Sequence, residues 1–220
     1  MTQTGILQLH SRWGETCIFI KSITSHEFEM CDVLCEIEKA NSATHGHNIA
    51  RMSRLSGCFS RLTGLGEGET RAVVLCSMLH DIGKVGIIND IISKTGRLDD
   101  AELQIMRSHP QIGNSILSKT KFLLIKCAAD TALFHHEKYD GTGYPTGIKG
   151  SEIPLYARII AVADVLDAML SERSYRAATT LSSARDYMID QRGGHFDPMC
   201  IDPIIEHWDD VANIVNEFTE

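Results

Sequence analysis

The sequence predicts an all-α domain. Apolar residues recur at helical spacing in one segment after another, and no stretch alternates apolar and polar residues as a half-buried strand does. Short breaks carrying Gly or Pro separate those segments, which argues for successive helices packed around one core. The 220 residues suffice for one domain with a buried interior.

Taken in order, residues 1 to about 25 lack periodicity and are expected to be an irregular lead-in. From Glu27 to Lys39 the spacing of Phe28, Met30, Val33, Leu34 and Ile37 predicts an amphipathic helix. "NSATHGHNIARMSRLSGCFSRL" predicts a second helix, and "GLGEGE" ends it. "TRAVVLCSMLHDIGK" predicts a third, strongly apolar helix. "DDAELQIMRSHPQIGNSIL" opens on acidic capping residues, with Pro110 marking a boundary or kink. "IKCAADTALFHHE" predicts a helix that stops before a glycine-rich loop. "LYARIIAVADVLDAML" is apolar nearly all round and predicts a central buried helix. "LSSARDYMIDQRG" and "DPMCIDPIIEHWDDVANIVNEF" supply the closing helices.

Composition narrows the function. Hydrophobic content of 43% is that of a globular protein, not a disordered one. A formal net charge of -8 weighs against broad nucleic-acid binding, so DNA is not an expected partner. It leaves room for a small phosphate substrate if bound metal ions supply positive charge. No apolar run approaches the ~20 residues of a membrane helix, and the polar start does not resemble a secretory signal. Seven cysteines without a C-x-x-C pair suit a reducing, cytoplasmic setting better than disulfides.

Several side chains do not suit a plain helical core. His80 and Asp81 end one apolar segment, and His135 and His136 end another. Asp164 stands inside "IIAVADVLD", where a lone buried carboxylate is costly. Each taken singly has a structural explanation, such as a His at a helix C-terminus. Together with His109 they form the mixed nitrogen and oxygen donor set of a metal cluster. Asp81 can bridge two ions at the ~3.5–4 Å spacing of two-metal sites.

These residues lie in "HDIGKVGI", "KTGRLDDAE", "MRSHPQIG", "HHEKYDGTGYPTGIKGSEIP", "ARIIAVADVLDAMLSERSYR" and "GGHFDP". In that order, from about Gly64 to about Pro198, they closely resemble the HD-GYP domain, a branch of the HD phosphohydrolases. The resemblance implies an HD-type helical bundle with a buried metal site, spanning residues 41–220. Residues 1–40 then form a lead-in and helix of unknown role. It implies divalent ions, iron or manganese, and the hydrolysis of a cyclic dinucleotide, cyclic di-GMP foremost, to the linear dinucleotide. Attack by a metal-bridging hydroxide is the implied chemistry. His80, Asp81, His109, His135, His136 and Asp164 take the ligand positions, with Asp81 and Lys84 catalytic. Lys84, Tyr144, Arg173 and Arg176 take substrate positions.

The match breaks on the second predicted helix. The family's first-helix histidine aligns with Asn48, and a glutamate found in some members aligns with Thr44. His47 lies one residue away, and one residue turns a helix by ~100°, so its role as a ligand stays open. Two ions are expected rather than three. The motifs leave cyclic GMP–AMP as an alternative substrate. The altered helix leaves a second class open, a weakly catalytic module that senses a cyclic dinucleotide or docks a diguanylate cyclase-type protein. Homodimerisation is also left open.

Overall fold

The computed structural model describes residues 8–10, 16–18, 23–41, 47–172 and 177–218. Most of them are helical, as the sequence predicts. The lead-in differs from expectation. Strand β1 (Gln8–His10) pairs antiparallel with β2 (Thr16–Ile18), placing Leu9 opposite Cys17. Strands of three residues are too short for an alternation to show in the sequence.

Helix α1 (Ser25–Asn41) begins with a reciprocal cap. Glu27 accepts hydrogen bonds from the Thr24 backbone N–H at 3.0 Å and hydroxyl at 2.8 Å, and its own N–H reaches Thr24 Oγ1 at 3.3 Å. The same buried carboxylate accepts from Leu124 N at 3.4 Å, at the start of α7 (Leu123–Phe134). Cys31 and Cys35, four apart, are both buried against the core.

Helix α2 (His47–Leu62) buries Met52, Leu55 and Phe59. α3 (Glu67–Ser77) ends earlier than predicted. Beyond Ser77 the chain tightens to i→i+3 bonds, Leu79 N to Cys76 O and Ile82 N to Leu79 O, and then forms a 3-10 turn at Ile82–Gly86. The predicted single helix through Lys84 therefore breaks, and His80 and Asp81 sit in the break.

Next come α4 (Asn89–Ile92), α5 (Asp100–Met106) and α6 (His109–Leu117). Asp99 and Glu102 form the capping box of α5, and Pro110 lies in the first turn of α6, where its missing N–H costs nothing. α8 (Leu155–Leu170) is the predicted central helix, with Ile159, Ile160, Val162, Ala163 and Leu166 wholly buried. α9 (Leu181–Asp190) follows. The closing segment splits at His207 into α10 (Pro198–Glu206) and α11 (Trp208–Asn216). α2 packs on α3, α8 and α11; α7 packs on α3, α6 and α8.

A buried ion pair ties α2 to α8. Arg51 Nε donates to Asp167 Oδ1 at 2.7 Å, and its terminal nitrogen donates to Ser171 Oγ at 2.6 Å and Asp167 O at 3.2 Å. Burial pushes the Asp167 carboxyl up even with Arg51 beside it. Removing one member strands the other, so Arg51→Ala is expected to lower the unfolding free energy by about 3 kcal/mol in urea titrations. The double variant Arg51→Met, Asp167→Leu should lose less than the single one.

Candidate metal centre

Four pieces of chain bring the predicted donors together. His80 and Asp81 come from the turn after α3, and His109 is the first residue of α6. His135 and His136 follow α7, and Asp164 comes from α8. Asp81, His109, His135 and His136 form one group and His80, His135 and Asp164 another; within each group the donor atoms lie within 4.8 Å of one another. His135 belongs to both.

The imidazoles are oriented by their own backbone. Nδ1 of His80 lies 2.6 Å from Ser77 O, that of His109 2.8 Å from Met106 O, and that of His135 3.0 Å from Ala132 O. A carbonyl only accepts, so each Nδ1 carries a proton, and each ring turns its Nε2 toward the centre. His109 Nε2 and His135 Nε2 then face each other at 3.3 Å. Burial, reinforced by His136, His80 and His109, holds His135 well below the usual imidazole range. Burial and His109 do the same to His136. Both rings are therefore neutral donors near pH 7.

Asp81 spreads its two oxygens over both groups. Oδ1 lies 3.2 Å from His109 Nε2 and 3.8 Å from His135 Nε2; Oδ2 lies 3.4 Å from His80 Nε2 and pairs with the Lys84 ammonium. Burial acts to raise its pKa, but Lys84, His80 and His109 outweigh it and hold Asp81 well below the usual carboxylate range. Burial is likewise outweighed at Asp164, whose Oδ1 lies 3.7 Å from His80 Nε2. The costly carboxylate inside α8 thus has a partner. Imidazole nitrogens and carboxylate oxygens grouped in this way suit divalent metal binding.

The glycine-rich loop closes over one edge. Tyr144 stacks on His136 with ring centroids 4.8 Å apart and planes 25° apart. Burial, together with Asp164 and Asp81, pushes its phenol up. Gly143 allows the turn back: a Cβ there would lie 2.3 Å from Lys138 N and 2.6 Å from His136 O. The Tyr144–Pro145 bond is cis. Glu137 follows the His pair but is not part of either donor group. It is buried and accepts from Thr146 N at 2.7 Å, Thr146 Oγ1 at 2.6 Å and Gly147 N at 3.1 Å. It is a strap for the loop, which its position beside two histidines does not reveal.

Two residues that sequence reasoning passed over also matter here. Arg107 stands over the Tyr144 ring, 5.1 Å from its centroid, and the only sequence signal is its place just before His109. Gly83 lets the 3-10 turn press on α6; an added Cβ would lie 1.9 Å from His109 O and 2.5 Å from Gly113 N. The side chains of His47 and Asn48, and all of Arg173 and Arg176, lie outside the described residues; α2 begins at His47.

Comparison with known proteins agrees with this geometry. The HD domain family matches residues 32–200. The chain is 42% identical over 171 residues to the cyclic di-GMP phosphodiesterase response regulator RpfG of Xanthomonas campestris, covering 78% of this chain and 45% of that protein. It is 38% identical over 181 residues to 3'3'-cGAMP-specific phosphodiesterase 2 of Vibrio cholerae, covering 82% of this chain and 35% of that protein. The chain thus spans less than half the length of these relatives. A solved structure of the cyclic GMP-AMP phosphodiesterase V-cGAP3 of V. cholerae shares the fold, with a TM-score of 0.61 at 18% identity, over 86% of this chain and 51% of that one.

Gly83→Ala forces two backbones apart. It is expected to cost about 2 kcal/mol and to lower the metal content of purified protein while far-UV circular dichroism keeps its helical shape. Wild-type metal content would contradict the role given to this contact. Glu137→Ala should keep its metal, but tryptic cleavage within residues 138–150 should become several-fold faster, about the effect of losing one buried charged acceptor.

Proposed function

Because the chain belongs to the HD domain family and carries the motifs of its HD-GYP branch, we propose that it is a phosphodiesterase that hydrolyses a cyclic dinucleotide, cyclic di-GMP foremost, to the linear dinucleotide. The observation that carries this is the convergence of imidazole lone pairs and two carboxylates beside a loop that presents Tyr144. The resemblance to proteins named as cyclic di-GMP and 3'3'-cGAMP phosphodiesterases supports it.

Two divalent ions, iron or manganese, would be held by His80, Asp81, His109, His135, His136 and Asp164. When bound they supply Lewis acidity and a water acidic enough to act as nucleophile near neutral pH. A third ion is not part of the proposal. Residues 41–220 carry the chemistry, and α1 braces it through Cys31 and Cys35. Asp81 holds both donor groups in register through its two oxygens. Lys84, already on Asp81, can donate to a non-bridging phosphate oxygen as charge builds there. Water adds to phosphorus, the bond to the 3′ oxygen breaks, and that oxygen takes up a proton. Tyr144 forms a wall of the pocket, and Arg173 and Arg176 are assigned to substrate phosphates or bases.

Cyclic GMP–AMP is the second reading, since one relative is named for that specificity. The sensor or cyclase-docking module and the homodimer remain proposals attached to this one. No described helix is long and apolar enough to cross a membrane; the cytoplasm is the proposed compartment.

The test is anaerobic purification with metal analysis, followed by incubation with both cyclic dinucleotides and chromatography of the products. Two ions per chain and a linear product are expected, and the faster substrate sets the specificity. Intact substrate over a loaded site would move the assignment to a sensor. Asp81→Ala should lose bound metal and turnover together. Lys84→Ala should keep its metal and lose about 10²- to 10³-fold in kcat, the usual cost of one transition-state donor.

A further inference from the structure

We propose that Arg107 binds the phosphate of the cyclic dinucleotide that is not being hydrolysed, and so favours a two-phosphate ring over a simple diester. The inference rests on the phosphodiesterase reading above. Arg107 caps the C-terminus of α5 two residues before His109, so the stretch of chain that delivers a donor to the centre also fixes the arginine beside it. Its guanidinium stands 5.1 Å from the Tyr144 centroid, and that ring stacks on His136 at 4.8 Å. The side chain is therefore one aromatic ring away from the donor cluster.

Arg107 is exposed, and among the described residues no carboxylate pairs with it. A guanidinium set over an aromatic ring still presents N–H donors along its edge, in a fork that matches two phosphate oxygens. The ammonium nearer the centre, on Lys84, is held against Asp81. A cyclic dinucleotide carries two phosphodiesters kept apart by its closed sugar–phosphate ring. When one lies at the donor cluster with Lys84, the other must lie away from it. In a chain of formal net charge -8, that second anion needs a cation placed for it. Arg107 is such a cation, steadied by the ring that walls the pocket.

The test is steady-state kinetics of metal-loaded wild type, Arg107→Ala and Arg107→Lys. The substrates are the faster-cut cyclic dinucleotide and bis(p-nitrophenyl) phosphate, a diester with one phosphate. Arg107→Ala should raise KM for the cyclic dinucleotide about tenfold, as loss of a charge-assisted bidentate contact does, with kcat nearly unchanged. KM for the single diester should move by less than about twofold. Arg107→Lys should recover part of the loss, because it keeps the charge and gives up the fork. An unchanged KM for the dinucleotide in Arg107→Ala, or an equal rise on both substrates, overturns the assignment while leaving the phosphodiesterase reading standing. Wild-type protein that cuts neither diester removes the phosphodiesterase reading and this inference with it.

Discussion

At Gly83 two backbones run so close that one added carbon would sit 1.9 Å from the His109 carbonyl oxygen. This contact seats the 3-10 turn on the start of α6, and the centre depends on it. Asp81 precedes the turn and Lys84 lies within it, while His109 opens the helix on the other side. The 3.2 Å approach of Asp81 Oδ1 to His109 Nε2 follows from that seating.

The rest of the molecule holds charged and polar groups where water cannot satisfy them. Buried carboxylates act as straps at several places. Glu27 joins the start of α1 to the start of α7; Asp167 joins α8 to α2 through Arg51; Asp197 caps α10 while pairing with Arg158 of α8. Glu137 does the same for the Tyr144 loop. Glu27, Glu137 and Asp197 each accept from more than one donor and Asp167 accepts from a guanidinium, which is what makes their burial tolerable. The donor cluster is the exception. There the Nδ1 protons of His80, His109 and His135 go to helix carbonyls, which turns each Nε2 toward the centre.

Asp164 and Asp167 show how little the chain says about such roles. They lie one helical turn apart on α8, and both interrupt an apolar run. Asp164 meets His80 from the turn after α3, and Asp167 meets Arg51 from α2. Glu137 and His136 are adjacent, yet one grips the loop and the other joins the donor cluster. Arg107 reaches Tyr144 across a long stretch of chain, so no local pattern marks it.

The sequence by itself determined most of the helices, because apolar spacing and capping residues act within a few positions of the chain. α5 and α8 are legible in that way. It also determined which donor types were available, and their motifs marked the six residues that the fold gathers. Among the features that escaped it are the short β1–β2 pair, the early end of α3, the short α4 and the break at His207. The tertiary structure decided which oxygen of Asp81 faces which histidine, which carboxylate straps and which joins the cluster, and what stands over Tyr144. Those outcomes depend on distances between elements far apart along the chain. They are set by close packing between backbones, as at Gly83, and periodicity within a single segment carries no record of its neighbours.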